Sequence, residues 1–403
     1  MKSDPRVFFI LIALIGGLAI FSSTLSKTPV LPLFAHALNA SPAEIGWIVM
    51  ASTIPGVLIS YPAGALSDYL GQRRLLLASL IVFATAPFLY LLIETPWQLM
   101  AVRFYHGFAT AIFGTVASAA IAARYTADRA AKLSTYSSIT IIGRSVAPFL
   151  GGFLISLASF NAVYVACAIS GVLALGAGLL LHPQEVRRQT LPWAVLAQRD
   201  DGPAPAAKKV QPPFWASLTT VLRDRGIMLV SGIEAAQYLV FGAIEAFITL
   251  YAASLGIPAW QIGIILGVQL VSIVFAKPLM GRVSDRIGRK QVIIPGLLIG
   301  ATSVAMLPLA SSFIFLVGLS LLFGIGFATV TSSTAALVAD LTQNGRYGSS
   351  MGVLRTVMDV GQSIGPVLTG WMIGMAGYGS AFTLLAAILF SAALLLGWRF
   401  KQP

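Results

Sequence analysis

The apolar positions fall into long runs with little polar interruption. Runs long enough to cross a bilayer occupy residues 7–29, 44–65, 74–94, 97–123, 133–158 and 161–181, and again 226–253, 260–280, 291–310, 312–339, 349–374 and 378–398. A spanning helix needs about 20 apolar residues, so each run predicts one span. The polar stretch 182–225, rich in Pro, Ala and charge, divides them into two sets of six. This predicts an N-terminal six-helix unit (1–181), a linker (182–225) and a C-terminal six-helix unit (226–403). The first run follows Lys2 and Arg6 but is too long for the core of a signal peptide, and is read as a retained span.

Composition agrees. Of 403 residues, 57% are hydrophobic and only 10% charged, and the mean hydropathy is +0.86. A soluble domain carries roughly 25% charged residues, so soluble enzymes, disulfide scaffolds and disordered tails are excluded. The net charge of +12 would suggest a nucleic-acid partner in a soluble protein. Here its placement gives another meaning. Arg73 and Arg74, then Arg124, Arg129 and Lys132, then Arg282, Arg286, Arg289 and Lys290, and Arg346 fall in alternate gaps, whereas the gaps 30–43, 94–96, 254–259 and 375–379 hold no Lys or Arg. By the positive-inside rule, both termini and the linker are expected in the cytoplasm, with lipid headgroups as neighbours and no nucleic acid. The single cysteine, Cys167, permits no intrachain disulfide, and with three histidines no metal site or cofactor is expected.

Two motifs repeat with nearly one offset. G-A-L-S-D-Y-L-G-Q-R-R (Gly64, Asp68, Gly71, Arg73, Arg74) returns 217 residues later as G-R-V-S-D-R-I-G-R-K (Gly281, Asp285, Gly288, Arg289, Lys290). G-R-S-V-A-P-F-L-G-G (Gly143, Ala147, Pro148, Gly151, Gly152) returns after 218 as G-Q-S-I-G-P-V-L-T-G. The halves are therefore expected to be structural copies facing a central cavity. The first motif is placed in loops after the second and eighth spans. Its glycines allow a tight turn, and its basic pair can anchor to headgroups or a carboxylate.

These residues resemble the major facilitator superfamily, and its twelve-span drug/proton antiporter branch in particular. The resemblance implies an all-α membrane protein of twelve helices in two pseudo-symmetric bundles, acting as a secondary transporter and not an enzyme. It also implies that Asp68, Arg73 and the start of the eleventh span form a latch in the outward-facing state, although Tyr69 and Gln72 depart from the family pattern. The fifth-span element around Pro148 is similar to the one linked to antiport, with Ala147 in place of a glycine. A generic small-residue packing face is the alternative. Thr28-Pro-Val-Leu-Pro-Leu-Phe is similar to a first-span segment of the same branch.

Ionisable groups at membrane depth are functional candidates. In the seventh span Glu234, Tyr238, Phe241 and Glu245 fall on one helical face, the carboxylates about 16 Å apart. They are candidate proton carriers, or else static ion-pair partners. Asp359 in the eleventh span is a further carrier, with Arg355 one turn before it as a pairing partner. Arg103, in an R-x-x-x-G pattern similar to the family's, is expected to assist proton movement. Lys27, Tyr105, His106, Tyr136, Arg144, Tyr238, Phe241 and Gln362 are the expected cavity residues, with His106 as either a titrating or a packing group. Lys277 is expected to snorkel to the interface. Lys27 and Glu245, one repeat apart, are expected to meet as a salt bridge across the outer mouth in the inward-facing state. The expected activity is proton-coupled efflux of small amphipathic compounds by a monomer in a bacterial inner membrane. The alternative is proton-coupled transport of an anion (an organic anion, metallophore or sugar derivative) cradled by Lys27, Arg103 and Arg144.

Overall fold

The computed structural model describes residues 5–56, 58–59, 71–125, 128–181, 214–342 and 347–399. Gly64, Asp68 and Arg346 lie outside the described residues, as does most of the expected linker. The helices are α1 (Pro5–Leu25), α2 (Val30–Ala37), α3 (Pro42–Ala51), α4 (Gln72–Tyr90), α5 (Pro96–Arg124), α6 (Arg129–Leu157), α7 (Phe160–Leu179), α8 (Phe214–Arg223), α9 (Arg225–Ser254), α10 (Ala259–Ile287), α11 (Arg289–Ala305), α12 (Phe313–Leu341) and α13 (Tyr347–Arg399). Among the described residues ten segments are long and apolar enough to cross a membrane. The last is two spans, because α13 is broken at Gly377, whose φ of 78° an L side chain resists. The second expected span is described chiefly as α3. The chain is an all-α membrane protein of the twelve-span kind.

The helix ends follow local chemistry. Ser41 and Glu44 form a reciprocal cap on α3, and Thr95 and Gln98 do the same on α5. The Asp224 carboxylate starts α9 by accepting from the amides of Gly226 (2.9 Å) and Ile227 (3.0 Å). The first span differs from the expected unbroken run. It stops at Leu25 and restarts at Val30, since Pro29 has no N–H to continue the ladder. The break turns Lys27 and Thr28 inward.

The repeat seen in the sequence reappears as exchanged contacts between the halves. A methyl group on Gly152 of α6 would sit 2.3 Å from the Ala259 carbonyl of α10, and one on Gly370 of α13 would sit 2.1 Å from the Pro42 carbonyl of α3. Gly46 and Gly263 meet the carbonyls of Pro366 and Pro148 in the same reciprocal way, each at 2.5 Å. Backbone-to-backbone contact of this kind needs small residues. In the fifth-span element Gly143 and Gly151 pack on α1, α2 and the break between them, whereas Gly152 packs on the opposite half. The contacts of Gly46, Gly151, Gly152, Gly263 and Gly370 gather toward the end of the bundle whose loops lack Lys and Arg. Phe247 and Leu250 of α9 share one buried core there with Phe34, Ile45 and Ile48.

The basic end is organised differently from the expected loop. Gly281 and Asp285 lie in the final turns of α10, and the turn starts only at Gly288 (φ 104°), as Gly71 (φ 90°) starts it in the first copy. Arg73 Nε donates to the Leu181 carbonyl at 2.8 Å, and Lys290 Nζ donates to that of Gly397 at 2.9 Å. Each half thus uses one cation to hold the free carbonyls at the end of its sixth helix. Among the described residues, the hydrogen-bond partners of Arg73 are the carbonyls of Leu179 and Leu181. Arg74 is exposed. Arg289 joins Asp285 to Asp340 of α12, the latter at 3.0 Å.

Candidate functional site

Between the halves lies a cavity of about 950 Å³. Arg103 and His106 from α5, Arg144 from α6, Tyr238, Phe241 and Glu245 from α9, and Asp359 and Gln362 from α13 all reach it, as does Lys27 from the break after α1. Nine of the expected site residues are therefore brought to one space.

At the end lacking basic loops the cavity is closed by an ion pair. Lys27 Nζ stands 2.7 Å from Glu245 Oε2, and Thr28 Oγ1 donates to Glu245 Oε1 at 2.9 Å. One repeat apart in sequence, Lys27 and Glu245 meet as expected. At mid-depth Ser363 Oγ donates to Thr53 Oγ1 at 2.8 Å. Toward the basic end beyond this bond, the described residues make no hydrogen bond or ion pair between the halves.

Arg103 forms part of the N-terminal wall at only 4% exposure. Its Nη2 donates to Ser52 Oγ at 2.7 Å and its Nη1 to Tyr90 OH at 3.4 Å. Tyr90 OH also lies 3.3 Å from His106 Nδ1, and its ring stacks on Tyr164 with centroids 4.4 Å apart. Gly107 lets α5 touch the Ser52 carbonyl, where a methyl group would approach to 2.4 Å. Facing this polar wall, Tyr238, Phe241 and Phe327 form an aromatic cluster, with Phe327 4.4 Å from Phe241 and 5.0 Å from Tyr238, centroid to centroid.

Several expectations are corrected. Tyr105 does not reach the cavity. It lies two residues from Arg103, on the other side of α5, and its hydroxyl is 2.9 Å from Thr85 Oγ1. Tyr136 is buried against Gly16 on α1, turned away from the cavity-facing Ser137 and Ser138. Glu234, expected on the cavity face with Glu245, is 3% exposed and points instead at α12, where the Thr334 hydroxyl donates to it. Arg355 and Asp359, one turn apart, form no ion pair. Lys277 does not snorkel outward but lines the cavity.

The residues that sequence reasoning missed are mostly uncharged. Phe327 was hidden in an apolar run. Ser134, Ser137, Ser138 and Ser145 form a hydroxyl stripe on the cavity face of α6. Their three-, four- and seven-residue spacing in an apolar span was the available signal.

The family model described as Major Facilitator Superfamily matches residues 7–250 and 230–403. The chain is 24% identical over 379 residues to the staphyloferrin B transporter of Staphylococcus aureus, covering 91% of this chain and 87% of that one. It is 27% identical over 204 residues to multidrug resistance protein MdtM of Salmonella typhimurium, covering 47% and 49%. Among solved structures, that of a mutant of the nucleoside transporter NupG superposes with a TM-score of 0.81 at 15% identity, covering 98% of this chain and all of that one.

Proposed function

The chain belongs to the Major Facilitator Superfamily, a family of transporters and not of enzymes, and from that premise we propose that it exports small amphipathic organic compounds in exchange for protons. The observation that carries this reading is the composition of the cavity. An aromatic cluster of Tyr238, Phe241 and Phe327 shares it with ionisable groups from both halves. Such a wall offers apolar area to a ligand body and fixed charges to its polar end.

The halves, 1–181 and 226–403 joined by the linker 182–225, rock about the cavity as alternating access requires. With the basic loops and both termini in the cytoplasm, the cavity is open inward, and the Lys27–Glu245 pair is the outer seal of that state. Protons are carried by Asp359 and Glu234. Neither is held in an ion pair among the described residues, whereas Glu245 is committed to Lys27. Arg103 positions the N-terminal wall through Ser52 and Tyr90. The Asp68–Arg73 latch belongs to the outward-facing state. The fifth-span element around Pro148 and the similarity to a multidrug resistance protein favour export. We assign the chain to a bacterial inner membrane, as a monomer among lipids.

In inside-out vesicles with an acidified lumen, adding an amphipathic substrate should release protons from the lumen, and the variant Asp359→Asn should not respond. Absence of proton movement with every compound tested would overturn the coupling. The anion reading is favoured by one observation. Lys27, Arg103, Arg144 and Lys277 outnumber Glu245 and Asp359 along the cavity.

A further inference from the structure

The cavity cations are not equivalent. Lys27 is neutralised by Glu245, and Arg103 is tied to the hydroxyls of Ser52 and Tyr90. Arg144 and Lys277 stand apart from both. Their side chains line the cavity, and neither makes a hydrogen bond or ion pair with any described residue. They project from opposite halves, Arg144 from α6 and Lys277 from α10. Lys277 feels the attraction of Glu234 and the repulsion of both Arg144 and Arg355. Among the described residues no carboxylate stands within ion-pair distance of either cation. Asp359 forms no ion pair, and Glu234 is turned to Thr334 behind the wall. Two unpaired cations facing each other at membrane depth are costly, and a charge of opposite sign between them removes that cost.

We propose that Arg144 and Lys277 together form a site for the carboxylate of an amphipathic organic anion, whose apolar body rests on Tyr238, Phe241 and Phe327. The proposal rests on the amphipathic-substrate reading above and adds the sign of the charge and the two residues that read it. The Arg144 guanidinium offers a planar fork suited to two carboxylate oxygens, and the Lys277 ammonium adds a compact charge from the other side. Empty, the pair repels across the cavity. Filled, the same pair draws the halves toward one another, so that recognition and closure use one contact.

The test uses full-length protein in detergent and three probes sharing one ring system: 2-naphthoate, its neutral amide 2-naphthamide, and 2-naphthylmethylammonium. Calorimetry should show the wild type binding naphthoate about tenfold more tightly than naphthamide. Arg144→Gln and Lys277→Gln should each weaken naphthoate by about tenfold and leave naphthamide unchanged, which also shows that the variants are folded. Lys277→Arg, which keeps the charge, should preserve the preference for the anion. Equal binding of all three probes, a preference for the ammonium, or equal loss of naphthoate and naphthamide in the variants overturns the anion site alone. If none of the probes binds the wild type, the amphipathic reading falls, and the anion site with it.

Discussion

The two halves share their scaffold and differ in their charges. Gly152 and Gly370 make reciprocal crossings, and Arg73 and Lys290 hold the ends of equivalent helices. The ionisable groups at membrane depth do not repeat in this way. Shifted by one repeat of 218, Lys27 falls on Glu245, an exchange of sign, while Arg144 falls on Gln362. Asp359 shifts back onto Ile141 and Glu234 onto Gly16. The features that both halves keep are those that set helix crossings. The features that only one half has, Glu234 apart, are those that meet in the cavity. A duplicated scaffold thus carries an unsymmetrical site, and that asymmetry gives the site a polar wall on one side and an aromatic wall on the other.

The largest effect should come from erasing the C-terminal half's free carboxylate. Asp359→Asn should lower proton-driven transport by about a hundredfold or more, the scale expected when a proton-transferring group is lost. Binding in the cavity should persist, because Asp359 holds no other side chain in place. Its counterpart change, Ile141→Asn, also on the cavity wall, removes no ionisable group and should lower transport by no more than about tenfold, the scale of one altered polar contact. Comparable losses in the two variants would mean that the halves are functionally equivalent at this depth.

The exchange of sign between Lys27 and Glu245 makes the next prediction. Removing one member of a buried pair leaves an uncompensated charge and costs about 3 kcal/mol or more, and about 3 kcal/mol is the upper scale for this half-buried pair. Glu245→Gln and Lys27→Met should therefore each destabilise the sealed state, shifting its balance with the opened state by up to about a hundredfold. The double variant, which has no orphaned charge, should recover much of this. A cysteine in place of Leu250, buried in the core shared by the halves at the sealed end, reports the change by thiol labelling. The only native cysteine, Cys167, is buried and stays silent. Fast labelling is expected in each single variant and slow labelling in the double. Additive acceleration in the double variant would show that the two residues act independently.

The parts of this architecture legible in the sequence were those governed by period and sign. Span number follows from hydrophobic length, the exchanged glycines from a motif repeated at one offset, and the Lys27–Glu245 contact from that offset applied to a charge. Side-chain direction within a span was less legible. Ideal helix geometry sets Glu234 and Glu245 about 20° apart, yet α12 packs over the first and takes its carboxylate with Thr334, while the second meets Lys27. Tyr105 and Tyr136 sit beside cavity residues in the chain and still turn away. Lys277 was read by depth alone, although its direction is set by the way α10 leans on α6. Tertiary neighbours decide such cases, and one chain's periodicity does not contain them.

The smallest effect tests the feature that the halves hold in common. Arg73 and Lys290 both donate to carbonyls at the end of a helix, at 2.8 and 2.9 Å. A cation at a helix C-terminus contributes about 0.5 kcal/mol near solvent. Arg73→Met and Lys290→Met should therefore lower the apparent Tm by about 1 to 2 °C each, by similar amounts. Arg289→Met has no equivalent, because Gln72 stands at that place in the first half. Arg289 joins two carboxylates on different helices, Asp285 and Asp340, so its loss leaves like charges facing one another. Its shift should exceed those of the other two variants, and raising the salt concentration should narrow the gap as the carboxylates are screened. If Arg73→Met and Lys290→Met differ as much from each other as from Arg289→Met, the shared helix-end clamp is not a common device, and the likeness of the halves stops at their glycine crossings.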